Sequence, residues 1–452
     1  MSYRLMIASV IVLHSFSAAG IADLPPSPSG AQDCETIASS DILTALSQGG
    51  DIASSDTVVM TARTAQEVFL RENLTLLAAR YHLSASEADL VAARLFPNPQ
   101  LSVNASYIDL KSKPVDYAST QTSYRIDQLI ELGGKRGKRI DVATHSVESA
   151  KSDFQNTLLQ LVGDVKENFF EVVFTQKLLE LADTNYRIFK QSVEIARTRY
   201  KTGDIGEAEL QKLTLAQLDV IQNFSDARQN LTEAQSQFRR MINLPPSVQL
   251  NFVYNFRPSL KLPDKDTLTT VALNSRADLT SQREKTLMQQ SRIDLAHANA
   301  IPDLTLGVEI DRQGPDFRNT FGGGVGIALP IFNRNQDEIQ RAEAESQAST
   351  VEQKRLENSI VNDVDAAFEK YKESWNILEA ISTSTLDNAN GVRAMAVRSY
   401  NTGNIGLIDF LETQRICNDA VQSYYNALKR LLSNQTELER AVGKEIFKEQ
   451  QQ

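Results

Sequence analysis

Four stretches of the chain alternate apolar and polar residues one by one. Leu101, Val103, Ala105 and Tyr107 are separated by Ser102, Asn104 and Ser106, and Thr122, Tyr124, Ile126 and Ile130 share a face opposite Ser123, Arg125 and Asp127. Further on, Leu304, Leu306, Val308 and Ile310 alternate with Thr305, Gly307, Glu309 and Asp311. Phe321, Val325, Ile327 and Leu329 alternate with Gly322, Gly324, Gly326 and Ala328. Successive side chains of a strand point to opposite faces. A period of two therefore predicts four β-strands of about ten residues, each with one apolar face. The polar segments 111–119 and 312–319 join them as two hairpins.

Elsewhere the apolar positions step by three or four. Thr64–Leu95 and Leu268–Ala300, rich in good helix formers, read as helices stopped at Pro97 and Pro302. Arg139–Tyr200 contains no proline and only Gly163; Arg334–Tyr400 contains none and only Gly391. The first of these would span roughly 90 Å at the helical rise. Phe154, Leu158, Leu161, Val165, Phe169 and Val172 form its seam, as Ile360, Val364, Phe368, Tyr371, Trp375 and Leu378 do in the second. Helices of that length pack along partners of similar length. Shorter returning helices follow, Ala208–Ile242 and Leu407–Val442.

The pattern is written twice. Tyr200, Thr202, Gly203, Ile205 and Gly206 recur as Tyr400, Thr402, Gly403, Ile405 and Gly406, offset by 200 residues. Leu161-Val162-x-Asp164-Val165 recurs as Ile360-Val361-x-Asp363-Val364, and Phe96-Pro97 as Ile301-Pro302. Landmarks in one order at nearly one spacing mark tandem units. The expected organisation is a first repeat at 63–243, a linker at 244–266, a second repeat at 267–443 and a tail at 444–452. The N-terminus carries Arg4, an apolar stretch from Leu5 to Phe16, and small residues through Ala22, the layout of a secretory signal over 1–22. A membrane anchor is disfavoured because that stretch is too short to span a bilayer. Residues 23–62, rich in Ser, Gly and Pro, read as an extended arm.

Charge and rare residues then narrow the chemistry. Among 452 residues, 47 Lys and Arg face 57 Asp and Glu, a net charge of −10 that argues against nucleic acid as a partner. Cys34 and Cys417 are the only cysteines, too few for a disulfide framework or a cysteine-rich metal site. Gln32 and Asp33 before Cys34 do not suit lipoprotein processing, so Cys34 reads as a free or structural thiol. His82, His145 and His297 lie on different segments without metal-ligand spacing. The run Gly133–Arg139 lacks the Ser or Thr of a phosphate loop; basic side chains at the level of lipid headgroups explain it better. No catalytic constellation stands out, so neither an enzyme nor a cofactor is expected.

An exported sheet with one apolar face must cover that face and both edges. Lipid admits only helices and closed barrels, so several copies closing one membrane barrel above a helical tube satisfy both needs. The rival is a soluble hairpin domain on a coiled coil. The order of helix, hairpin, long helix, Gly turn and helix, twice over after a signal, resembles the TolC family of outer-membrane efflux factors. The motifs Phe96-Pro97-Asn98-Pro99, Glu131-Leu132-Gly133-Gly134-Lys135-Arg136 and Leu329-Pro330-Ile331-Phe332-Asn333-Arg334-Asn335 look like its heavy-metal, cobalt–zinc–cadmium branch. The resemblance implies a mainly α chain with a small transmembrane β part. It further implies a homotrimer whose twelve strands, four per copy, form one barrel in the outer-membrane lipid, continued into the periplasm as an α-barrel. The implied partners are a periplasmic adaptor (membrane fusion) protein and an inner-membrane pump of the resistance-nodulation-division type. The implied role is a passive exit duct for heavy-metal cations. Alternatives are an exported coiled-coil scaffold, or a multidrug or protein-secretion duct of the same family.

Three sets of residues are candidates for that role. Lipid-facing strand positions are Leu101, Val103, Tyr107, Tyr124, Ile126, Leu304, Leu306, Val308, Phe321, Val325 and Ile327. The turns Thr202, Gly203, Asp204, Ile205, Gly206 and Thr402, Gly403, Asn404, Ile405, Gly406 fall where the family docks its adaptor, with Ile205 and Ile405 as exposed apolar contacts. The glycines also permit the reversal in any case. Asp409 and Glu412, nine and twelve positions after Tyr400, match the family's acidic constriction. Two solvated helix carboxylates are the plainer reading. Ile405 stands where the family often carries a basic residue, and Glu209 and Lys212 of the first unit do not repeat the acidic pattern.

Overall fold

The computed structural model describes residues 57–106, 121–254, 263–313, 318–381 and 383–447. Tyr107, Cys34, the signal stretch, the arm up to residue 56 and both hairpin turns lie outside the described residues. In chain order the elements begin with strand β1 (Thr57–Met60) and helices α1 (Ala62–Glu72) and α2 (Leu74–Arg94), followed by strands β2 (Gln100–Ser106) and β3 (Gln121–Ile130). Helices α3 (Lys135–Thr202) and α4 (Glu207–Met241) and strand β4 (Gln249–Phe252) complete the first half. The second half contains α5 (Lys265–Ser275), α6 (Ala277–Asn299), β5 (Leu304–Gln313) and β6 (Arg318–Ile327). It closes with α7 (Gln336–Ala380), α8 (Thr383–Asn401) and α9 (Leu407–Val442).

The helices differ from the periodic reading at places where a side chain or a missing propensity interrupts them. The first expected helix is two, because the Asn73 side chain accepts the Leu76 N–H and starts α2 while its own N–H closes α1 on the Phe69 carbonyl. Its counterpart breaks at Arg276, whose extended backbone separates α5 from α6. Helix α3 is continuous for 68 residues, roughly 100 Å. Its expected twin is not: α7 ends at Ala380, capped by Ile381, and α8 begins at Thr383. That junction holds no proline or glycine, but Ile381, Ser382, Thr383 and Ser384 are β-branched or compete for backbone hydrogen bonds, so each weakens a helix.

Strands β2, β3, β5 and β6 form one antiparallel sheet in that order. The register aligns the apolar positions in rows: Leu101, Ile126 and Val308; Val103, Tyr124, Ile310 and Phe321; Leu306 with Val325; Leu304 with Ile327. Leu329 lies beyond the end of β6. A second, two-stranded parallel pair joins β1 to β4, Met60 opposite Phe252. By composition the two segments belong to the extended arm and the proline-bearing linker. Met60, Phe69, Phe169, Phe238 and Phe252 pack there with the middle of α3, and the rings of Phe238 and Phe252 meet edge to face at 5.1 Å.

Three apolar clusters hold the helices. The first surrounds Phe169; the second joins Ile360, Val364, Phe368 and Tyr371 to Leu431, Leu438 and Phe447; the third sits beneath the Thr-Gly turns. Phe154, Leu158 and Leu161 of the expected seam are only half-buried, whereas Val165, Phe169 and Val172 are fully covered. Beyond α9 the chain folds back: the buried Glu439 accepts from Lys166 Nζ at 3.1 Å and from the Ile446 and Phe447 N–H groups.

Candidate functional site

The sheet presents two unlike faces. On one, Leu101, Val103, Tyr124, Ile126, Leu306, Val308, Phe321, Val325 and Ile327 are exposed, from 40% at Leu306 to 77% at Phe321, and Leu304 is half-buried at the helical end. On the other, Arg125 bonds Asp127 at 2.9 Å and approaches Glu309 at 3.6 Å. These side chains arch over Gly307, where an added Cβ would lie 2.5 Å from Asp127 Oδ1. Beyond them the backbone of β6 is bare at Gly322 and Gly324. The outer edges of β2 and β6 have no partner strand among the described residues.

Where strand passes to helix, the basic run is not a free cationic surface. Lys135 Nζ reaches Asp303 at 2.7 Å, Lys138 Nζ reaches Asp294 at 2.8 Å, and Arg139 pairs with Glu131. The guanidinium of Arg136 lies 4.2 Å from the Phe96 ring centroid and donates to the Arg94 carbonyl. The hydrogen bond to Asp294 pushes the Lys138 pKa up, as Glu131 does for Arg139. The run ties α3 to α2, α6 and β5; sequence spacing could not reveal those distant carboxylates.

At the opposite end the two turns share one backbone design. Gly203 and Gly403 have φ of +83° and +75°, which side-chain-bearing residues rarely adopt, and their N–H groups bond the Tyr200 and Tyr400 carbonyls. Thr202, Gly203, Asp204 and Gly206 are exposed, as are Thr402, Gly403, Asn404 and Gly406. The two isoleucines are not: Ile205 is buried in the cluster with Phe189 and Leu213, and Ile405 is half-buried against it. They staple the turn to the helices behind it. Ile408, 76% exposed on the first turn of α9, is an apolar side chain that this end offers outward.

A clasp links the turns. Arg199 Nη1 donates to the Tyr400 carbonyl at 3.2 Å, and a Cβ on Gly403 would lie 3.2 Å from Arg199 Nη2. The Tyr400 hydroxyl donates to Glu209 Oε1 at 3.4 Å, and its ring stacks on Phe410 at 4.6 Å. Burial, with Glu209 adding, pushes the Tyr400 hydroxyl up to about 12. The sequence alone does not single out Arg199, and it marks Glu209 only as a residue that fails to repeat the acidic pattern. The available signal was a difference between the copies, Arg199 in one and Ser399 in the other.

Asp409 and Glu412 are both exposed on α9, and their spacing of three puts them on one side of it. They are not equivalent. Glu412 accepts two bonds from Arg415, at 2.7 and 3.1 Å, and these hold its carboxyl below the usual range. Asp409 makes no such pair among the described residues. No group of three or more His, Cys, Asp or Glu among the described residues is placed to hold a metal ion. His145 bonds Glu284 at 2.8 Å across α3 and α6, and Cys417 is buried. No described helix is long and apolar enough to cross a membrane.

The family described as "Outer membrane efflux protein" matches the chain twice, at residues 66–244 and 268–444. The chain is 25% identical over 392 residues to the cobalt-zinc-cadmium resistance protein CzcC of Cupriavidus metallidurans, covering 85% of this chain and 90% of CzcC. It is 23% identical over 367 residues to the pyoverdine export outer membrane protein OpmQ of Pseudomonas putida, covering 76% of this chain and 77% of OpmQ. The solved structure of CusC, described in terms of transmembrane channel formation, superposes with a TM-score of 0.71 at 18% identity over 85% of this chain and 92% of CusC.

Proposed function

The chain belongs to the outer membrane efflux protein family, and from that premise we propose that three copies assemble into a passive duct through the outer membrane, carrying heavy-metal cations outward. The observation that carries this reading is the four-stranded sheet, apolar on one side, polar on the other and unpaired at both edges. Because all neighbours in it are antiparallel, β6 of one copy can pair with β2 of the next without changing direction. Three copies of four strands give twelve. In that barrel the exposed row from Leu101 to Phe321 faces lipid, and Arg125, Asp127 and Glu309 line the lumen. Helix α3 continues directly from β3, so the lumen runs on into a periplasmic tube.

The Thr-Gly turns at the far end are the docking surface for a periplasmic adaptor, with Ile408 as its apolar anchor, and the adaptor connects the duct to a resistance-nodulation-division pump. Asp409 and Glu412 narrow the mouth as stacked carboxylates, of which Asp409 carries the larger share of free charge. Cargo follows the likeness to CzcC. The likeness to OpmQ supports a second reading, export of an organic metal chelator through the same duct.

Planar-bilayer recording of the purified protein tests the duct, and a closed or absent conductance would sink it. Deletion of the gene, scored for cobalt, zinc and cadmium tolerance against release of a chelator, separates the two cargoes. Ile408→Asp is expected to weaken adaptor capture at least about ten-fold while leaving conductance intact. Unchanged capture would remove the anchor from the docking surface.

A further inference from the structure

Above the second turn, three helices enclose polar side chains that the duct does not use. Arg393 on α8 is 5% exposed; its Nη2 donates to the Asn418 side-chain oxygen at 3.0 Å, while its Nε is buried without a partner. No carboxylate among the described residues pairs with it. Glu412 and Asp419 are held by Arg415 on the exposed side of α9, and Asp183 of α3 is held by Arg187. Gln414, one turn before Asn418, is 1% exposed and both of its amide atoms lack a partner. Asn185 lies one turn above Phe189 on α3, as Gln414 lies one turn above Phe410 on α9, and those two rings meet at 5.8 Å. The Asn185 Oδ1 is likewise buried and unpartnered.

An arginine keeps its proton inside a protein, and a buried charge without a counter-charge is strongly unfavourable. Cys417 beside it does not supply one, because burial pushes its thiol up against the pull of Arg393, so it remains S–H at neutral pH. Water would satisfy the amide dipoles but not the charge. Arg393 is already only 5% exposed within its own protomer, so no neighbouring copy needs to approach it. We propose that Arg393 and Gln414, with Asn185 across the seam, hold a small inorganic anion of the chloride class between α3, α8 and α9. A single-atom anion needs the least room between packed helices, whereas a phosphate would force them open. The anion pins the two helical hairpins together just behind the clasp.

This assignment does not depend on what the duct carries. It is tested by thermal unfolding of the detergent-purified protein in chloride and in gluconate at matched ionic strength. Chloride is expected to raise Tm by a few degrees, saturating with concentration. Arg393→Met should abolish that saturable rise, and Gln414→Leu should move its midpoint about ten-fold higher. Bromide exchanged into crystals should give an anomalous peak beside Arg393. Equal melting in the two salts, or an undiminished chloride effect in both variants, would overturn the proposal. If Arg393→Met does not fold, the wild-type titration together with Gln414→Leu still decides the question.

Discussion

The two Thr-Gly turns are spelled alike yet live in different surroundings. Both put glycine at positive φ and close the preceding helix on a tyrosine carbonyl. Yet Tyr400 is fully buried, stacked on Phe410 and clasped by Arg199 and Glu209, while Tyr200 is 41% exposed. A repeated motif therefore dictates the bend but not its neighbours. Within one protomer the second turn has the first beside it, and the outward side of the first has no such partner among the described residues. In the closed ring proposed above, that outward side would meet the next protomer's second hairpin.

The largest break in this contrast comes from removing the rings. Tyr400→Ala should cost about 3 kcal/mol in the protomer through lost packing, and Tyr200→Ala less than about 0.5 kcal/mol. Chemical denaturation of both variants checks this. If the assembled oligomer covers Tyr200, the gap narrows on assembly; an unchanged gap would argue against closure on that side. Next comes the backbone. A valine at either glycine meets a strain of about 1–2 kcal/mol from its positive φ. Gly403→Val should lose more than Gly203→Val, because its side chain also displaces Arg199, whereas Gly203 faces open space. Efflux should fail in Gly403→Val with the oligomer intact, read by resistance assays beside native electrophoresis.

A smaller effect isolates the hydroxyl. Tyr400→Phe leaves the stack and removes the bond to Glu209, for a loss of about 1 kcal/mol. The hydroxyl of Tyr400 is pushed up to about 12 from an ordinary value near 10. Its folded form thus holds the proton more tightly than the unfolded form does. The stabilisation is complete below about pH 10 and fades as pH rises toward 12. Hydrogen exchange should show the second turn loosening in that window while the first does not, and Tyr400→Phe should erase the difference. The smallest effect concerns charge. Arg415→Ala frees Glu412 and should raise cation selectivity slightly, read from the reversal potential in asymmetric salt. No shift would mean that Glu412 stands away from the conducting path.

Much of the fold is legible in the sequence. Alternation set the faces of β2, β3, β5 and β6, because a strand has one spacing and a slip of one residue would turn Phe321 and Val325 to the wrong side. Period and the lack of proline announced α3, and Thr-Gly marked both turns. All of these follow from preferences acting over a few neighbouring residues. What only the tertiary structure decided involves partners far along the chain. The parallel pairing of β1 with β4, the carboxylates that neutralise Lys135 and Lys138, and the inward turn of Ile205 and Ile405 are of this kind. So are the clasp from Arg199 to Tyr400 and the burial of Arg393. A local pattern records which side of an element is apolar; it carries no record of which of two apolar or charged groups, 200 residues distant, will lie against it.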